Sequence, residues 1–336
     1  MDHLEIPLNI YQQIPEGIRN LSPTEVRRIF PHPTIIRLKG RDPKPLFLSF
    51  LLHANEQSSF FVLQKLHKYI SENELPRDLI IFVGNVYAAE KNKRFLEDQQ
   101  DYNRIWQEGK TAEHYLAKRV LDYAKTQGPL FASIDVHNNT GANPHYGCIN
   151  KLDREYIYLA SLFAKTMVYF RNPGTVQSVA FAELCPSVTL ECGQSGDAQG
   201  IERAFQLIVD CLNLETLDHP SPSSDVHIFH TQGQIKIADG VDYSFSDREA
   251  DLIFPKEFEK LNFSPLPEGF TFAQYSGDGF PLHVFNDAGE EISSEFFVKR
   301  GDRIEMKKEA FASMFTTHRE VIAQDCLGYL MEELEL

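Results

Sequence analysis

The chain has little that would take it out of water or out of a reducing compartment. It contains no stretch of about 18 apolar residues free of charge, which excludes a bilayer-spanning helix. Its first residues, MDHLEIPLNIYQQIPEG, have neither the basic n-region nor the unbroken apolar h-region of a secretory signal, so a cytoplasmic location is expected. Cysteine is scarce: Cys148, Cys185, Cys192, Cys211 and Cys326 are an odd number without a C-x-x-C pair, which points to reduced thiols and not to a disulfide frame or a Cys-rich zinc knuckle. Positive charge is also short, with 33 Lys plus Arg against 48 Asp plus Glu and a formal net charge of −15. No Lys/Arg stripe interleaves with aromatics, so neither nucleic acid nor an anionic membrane is expected as a partner. G-x-G-x-x-G and Walker A loops are missing, which leaves dinucleotide and P-loop chemistry without a foothold. Gly193-Gln-Ser-Gly196 falls one residue short of a nucleophile elbow, which weakens a serine-hydrolase reading.

What remains is a chain built for a core. At 336 residues, 42% apolar and 12% aromatic, it suits one large or two medium domains. From Thr34 to Leu214, short β-rich runs (Thr34–Leu38, Leu46–Leu52, Leu79–Val83, Phe131–Val136, Met167–Phe170 and Val188–Leu190) alternate with helical spacings. Phe60, Leu63, Leu66 and Ile70 share one helical face, as do Leu116, Val120 and Tyr123, and Ala204, Leu207, Ile208 and Cys211. Strands separated by helices predict an α/β fold: a mixed, mostly parallel sheet with helices on both faces.

The texture changes at His219–Ser224, which reads as a linker. We therefore expect one domain over residues 1–216 and a smaller β-rich domain over 217–336. Within the latter, Val226–Phe229, Gln234–Ile237, Thr271–Tyr275, Pro281–Phe285 and Arg303–Met306 read as short strands, and the spacing of Phe311, Met314, Phe315, Val321, Ile322, Leu327 and Leu330 predicts a closing amphipathic helix. His227 and His230, three apart on a predicted strand, fall on opposite faces and read as edge residues.

Chemistry concentrates where strands end. In Leu51-Leu-His-Ala-Asn-Glu-Gln57, His53 and Glu56 sit three apart as a strand gives way to a helix, a place where both side chains can turn to one point. An imidazole nitrogen with a carboxylate oxygen suits Zn²⁺, although H-x-x-E alone is a common accident and equally fits a polar strand-end turn. His137 ends another buried strand, where open α/β sheets place their ligand sites; alone it would read as a strand cap. Asp135, two residues earlier and on the same side, could receive its N–H and fix the tautomer. His53, Glu56 and His137 together make a His₂Glu set with one open position, the arrangement of a catalytic zinc, one ion per chain. Glu191, at the end of Val188–Glu191 beside Gly193, is the candidate proton shuttle; by itself it would read as a solvated acid. In Lys93–Ile105, Arg104 offers a planar fork for a carboxylate, Asn103 an amide donor beside it, and Arg94 a group for an oxyanion, in a stretch that otherwise reads as charged surface.

The order H-x-x-E, then R-(F/Y) leading to N-R, then D-x-H-N, then a strand ending T-L-E-x-G, resembles the succinylglutamate desuccinylase/aspartoacylase family, relatives of the zinc carboxypeptidases. The resemblance runs from about Phe47 to Gly196. It implies that His53, Glu56 and His137 bind zinc, that Glu191 is general base and acid, that Arg94 polarises the scissile carbonyl, and that Asn103 and Arg104 hold a substrate carboxylate. Ala54 stands where the family has Gly, and the interval from Arg94 to Asn103 is two residues longer than its pattern. The family's aspartate-reading arginine, ten residues before the glutamate, is replaced by Phe181, and no Arg lies between Val176 and Glu191. That argues against N-acetylaspartate as substrate.

These readings converge on a zinc-dependent hydrolase cleaving the amide bond of an N-acyl amino acid or similar small carboxylate. A carboxypeptidase-like enzyme for short peptides and a catalytically silent binding protein on the same fold are the alternatives. A homo-oligomer is compatible with all three.

Overall fold

The structure, a computed structural model, describes residues 5–219, 225–246 and 249–335. The linker expected at His219–Ser224 therefore lies, from Pro220 onward, outside the described residues. Two compact units emerge, one of Met1–Asn138 with His145–Val226, the other of Asn139–Pro144 with His227–Leu336. The fold class is as expected, a mixed α/β chain with a mostly parallel sheet and a β-rich C-terminal part.

In the first unit, β1 (Asn9–Tyr11), β2 (Thr34–Leu38), β3 (Asp42–Phe50), β4 (Arg77–Val83), β5 (Ala132–Asn139), β6 (Tyr146–Ile149), β7 (Thr166–Tyr169) and β8 (Ser187–Gln194) pair in the order β1-β2-β4-β3-β5-β8-β6-β7. The pairs β1/β2, β3/β4, β3/β5 and β6/β7 are parallel; β2/β4 and β6/β8 are antiparallel. Every residue of β2, β4 and β5 is buried; β2 and β4 carry the continuous apolar runs Ile35–Ile36 and Leu79–Val83, while β5 also buries the polar Ser133, Asp135 and His137. Between them lie α1 (Ser58–Glu72), α2 (Val86–Ala89), α3 (Ala112–Thr126), α4 (Arg154–Ser161), α5 (Gln177–Phe181) and α6 (Ala198–Asn213). No described helix is long and apolar enough to cross a membrane.

Helix α6 shows how a helix is fitted to the sheet. Ile201, Ala204, Leu207, Ile208 and Cys211 bury one stripe, and the Asp197 carboxylate caps the first turn by accepting the N–H groups of Gln199 (2.8 Å) and Gly200 (3.0 Å). At Gly200 the helix presses on β8 so closely that a Cβ would stand 2.0 Å from the Cys192 carbonyl oxygen. Only glycine allows that approach. All five cysteines are free, as expected, and burial pushes the Cys185 and Cys326 thiols up to about 12, which makes them poor nucleophiles.

The second unit holds β9 (His227–Ile237), β10 (Tyr243–Ser244), β11 (Leu252–Ile253), β12 (Pro265–Leu266), β13 (Thr271–Tyr275), β14 (Leu282–Phe285), α7 (Ser293–Phe296), β15 (Phe297–Arg300), β16 (Arg303–Met306), β17 (Ala310–Ser313), α8 (Arg319–Gln324) and β18 (Gly328–Leu334). β9, β18, β17 and β12 pair in that order, with β14 also on β9; β10, β11, β13, β16 and β15 form a second sheet. Their core is aromatic: Phe258 stacks on Phe315 at 4.4 Å and meets Phe254 and Phe272 at 4.9 and 5.7 Å.

The closing amphipathic helix is a correction. Its residues are divided among strand β17, the short helix α8 and strand β18. Met314 sits at φ 59°, which no helix continues through, and Gly328 at φ 150° takes a position where a Cβ would meet the Phe315 ring at 2.3 Å. From there Leu330 to Leu334 complete a ladder on β9. The runs Val226–Phe229 and Gln234–Ile237, expected as two strands, are one, β9. Its C-terminal part, Gln234–Ile237, is paired by β14 on one side, and its partner on the other is β18.

Two stability predictions follow from the first unit. Gly200→Ala should cost about 1–3 kcal/mol by overpacking, read as a lowered denaturant midpoint at unchanged slope. The second concerns His67, which is buried and accepts a hydrogen bond at Nδ1 from Arg19 Nε (2.9 Å); burial, then the Arg19 charge, lower its pKa. With the folded pKa below that of the unfolded chain, acid binds preferentially to the unfolded state, so stability should fall as pH drops below about 6.5. Comparing denaturation at pH 7.5 and 5.5, His67→Gln should lose less stability than the parent chain; an equal loss would assign the pH dependence elsewhere.

Candidate functional site

The site is assembled at the carboxyl ends of β3 and β5. Beyond β3, Leu51 is held at φ 58°, a left-handed conformation that a branched apolar side chain rarely adopts. Ser59 Oγ accepts the Leu51 N–H (3.1 Å) and the Leu51 carbonyl accepts the Asn85 N–H (2.8 Å), so the bend is fixed from two sides. The chain then turns through His53, whose carbonyl accepts the Glu56 N–H (3.1 Å), and enters α1. The strand-to-helix junction thus points His53 and Glu56 to one place, as their spacing suggested.

His137, on β5, comes to the same place. One Glu56 oxygen, Oε1, lies 2.8 Å from His53 Nδ1, and the other, Oε2, lies 2.7 Å from His137 Nδ1. The two imidazole rings cross at 74° with centroids 4.7 Å apart. One ligand atom from each of the three residues lies within 4.8 Å of the others, so His53, Glu56 and His137 could hold a single metal ion.

The Nε2 atoms of both rings face carboxylates. His137 Nε2 is 2.8 Å from Asp135 Oδ2, whose other oxygen accepts the Ser49 hydroxyl (2.7 Å). His53 Nε2 is 3.1 Å from Asp101 Oδ1. For His137 this is the environment of a ligating histidine: an outer acid fixes the tautomer and leaves the inner nitrogen's lone pair for a cation. At His53 the acid stands close to Nε2, which makes no hydrogen bond of its own among the described residues. The donor chemistry therefore fits a divalent metal.

Charge accounts for the electrostatics. Burial opposes ionisation of Glu56, but the two imidazoles outweigh it and hold the carboxyl far below the usual range. Burial likewise disfavours the cationic form of His137, yet Asp135 and Glu56 raise its pKa well above that of a free imidazole.

Backbone groups complete the frame. Asn138 N–H donates to Glu56 Oε2 (3.2 Å), and Asn138 Oδ1 accepts the Ser58 N–H at the start of α1 (3.1 Å). Ser58 Oγ in turn accepts the Gly196 N–H (3.0 Å), beyond the end of β8. Glu191 is buried on β8, which neighbours β5. Near the start of both strands Ser133 N–H donates to the Pro186 carbonyl (2.9 Å), which sets the carboxyl end of β8 at the same edge of the sheet as that of β5.

The stretch Lys93–Ile105 supplies the remaining candidates. Arg94 Nε donates to Asp101 Oδ2 (2.9 Å), so Arg94 reaches His53 through a shared acid. Asn103 is buried: its Oδ1 accepts the Gln177 N–H (2.9 Å) and its Nδ2 is 3.3 Å from His137 Nε2. Arg104 Nη1 donates to the Asn103 carbonyl (3.0 Å). Asp101 is the functional residue that the sequence reading missed. Burial raises its pKa, but His53 and Arg94 prevail and hold it well below the usual carboxylate range. Its one local signal was the offset of two to Asn103, whose N–H it accepts at 2.8 Å in a turn typical of aspartate.

Residues 44–211 match the sequence profile of the succinylglutamate desuccinylase/aspartoacylase catalytic domain. The chain belongs to that family. No curated protein matches it in sequence. Among solved structures, succinylglutamate desuccinylase from Vibrio parahaemolyticus superposes with a TM-score of 0.62 at 14% identity, covering 90% of this chain and 86% of the other. The Chromobacterium violaceum succinylglutamate desuccinylase gives 0.57 at 16% identity, covering 87% and 85%; murine aminoacylase 3 gives 0.58 at 14%, covering 88% and 97%. At such identities the likeness carries the fold. The relatives' printed names are those of desuccinylases and an aminoacylase, so the family is one of hydrolytic deacylases.

Asp135→Asn should lower metal affinity about 10- to 100-fold while leaving the unfolding midpoint of the metal-free protein close to that of the parent chain. Competition against a chelator reads the affinity; an unchanged constant would mean that Asp135 does not orient His137.

Proposed function

We propose that the chain is a zinc-dependent deacylase that hydrolyses the amide bond of an N-acyl amino acid or a similar small carboxylate. The observation that supports this most is the meeting of His53 Nδ1, Glu56 and His137 Nδ1, with Nε2 of each ring turned to an outer acid. Two imidazoles and one carboxylate leave a fourth position open on a tetrahedral ion, the hallmark of catalytic zinc sites. When bound, zinc supplies a Lewis acid that polarises a carbonyl and lowers the pKa of water.

The residues around it supply the rest. Glu191, buried on β8, takes the proton of the attacking water and delivers it to the leaving nitrogen. Arg94, oriented by Asp101, meets the negative charge that develops on the carbonyl oxygen. Arg104 binds the substrate carboxylate through its fork, and Asn103 assists through an N–H not turned to His137. With no arginine between Val176 and Glu191, N-acetylaspartate is disfavoured. Local arginines hold an anionic substrate in spite of the chain's net charge of −15.

Glu191→Gln keeps the size of the side chain and removes its basicity. Zinc content should stay at one ion per chain, while turnover of N-acyl amino acids falls about 10²- to 10⁴-fold; full turnover in that variant would discard the mechanism. A panel of N-acyl amino acids and dipeptides, with and without chelator, separates deacylase from peptidase and both from a silent binding protein.

A further inference from the structure

An open, shallow groove of about 590 Å³ lies in the first unit between α1, the turn Glu16–Asn20 and the start of α6. None of its lining belongs to the metal-binding cluster. Its apolar surface comes from Phe61 on α1 and from Ala198 and Ile201 on α6, and its rim is cationic. Arg19, Lys65 and Lys68 face a single acid, Glu202, in a chain whose net charge is −15. A local reversal of charge of this kind concentrates anions.

The cations are not equivalent. Lys65 Nζ is paired with Glu202 Oε2 at 2.8 Å, which closes one side of the rim as a neutral pair. Arg19 is held rigidly, its Nε on His67 Nδ1 (2.9 Å) and its Nη2 on Ser71 Oγ. The turn that carries it is fastened to α1, because Gln64 Nε2 donates to the carbonyls of Ile18 and Leu21, both at 2.8 Å. A guanidinium positioned in advance and an exposed ammonium, Lys68, one turn along from Gln64 therefore leave a net positive end to the groove. Apolar walls with a few placed polar groups are what small-molecule sites present.

We propose that this groove is a second ligand site, for a small amphipathic carboxylate: an aliphatic or aromatic body on Phe61, Ala198 and Ile201, and the anionic end between Arg19 and Lys68. A compact, fully hydrated anion such as inorganic phosphate would leave the apolar walls wet, and a neutral apolar molecule would gain nothing from the rim. The site stands or falls independently of the deacylase reading.

Octanoate serves as the probe, titrated calorimetrically into the full chain. Saturable binding at one site is expected, with acetate, which has the same charge and no tail, giving none. Lys68→Glu replaces attraction by repulsion and should weaken octanoate about tenfold without changing the unfolding midpoint or the deacylation rate. Ala198→Trp, at an exposed helix position, should fill the groove and abolish binding without altering charge. In Arg104→Gln, which disables the carboxylate group of the catalytic cleft, octanoate should bind as in the parent chain. No octanoate binding, binding indifferent to both groove variants, or binding lost in Arg104→Gln would each overturn the proposal.

Discussion

One carboxylate between two imidazoles organises the first unit. Glu56 gives an oxygen to each ring, and it does so half-buried, where an unpaired charge is costly. Such a group survives only if every neighbour is placed to meet it. That requirement reaches outward: His137 must be held by Asp135, Asp135 by Ser49 on β3, His53 by Asp101, and Asp101 by Arg94. Two of these links cross segments, Ser49 on β3 to Asp135 on β5 and His53 to Asp101, so the cluster ties β3, β5 and the loop before α3 to one another.

The same linkage explains which parts were legible in the sequence. Strands β2, β13 and β16 lie where their apolar runs placed them, to the residue, because a buried or alternating strand writes its environment into its own composition. His53 and Glu56 were legible because a strand-to-helix junction constrains both by local geometry, and His137 because the carboxyl ends of sheet strands face the ligand. Asp101 was not, since its value lies in contacts with Arg94 and His53, seven and 48 positions away, and its one local signal, the turn to Asn103, says nothing of them.

Non-local pairing also accounts for the second unit. Gly233 lies between two runs expected as separate strands, yet it continues β9, and a Cβ there would stand 2.5 Å from Val284 on β14. The glycine marks a close approach, not a turn. The closing segment has helical spacing on paper; what decides it is the ladder that β18 completes on β9, a gain invisible to periodicity. Propensity lost to pairing there, while in α6, where stripe, cap and close contact all agree, it did not have to compete.

The bend at Leu51 has a wider meaning. A leucine kept in a left-handed conformation costs on the order of 1–3 kcal/mol, and it is the residue from which the metal-binding segment departs. Glycine would sit there without strain, but it would free the hinge and remove an anchor from the interior. Stability and the placement of His53 and Glu56 thus pull in opposite directions at this position: a substitution that relaxed the bend would steady the chain and loosen the cluster.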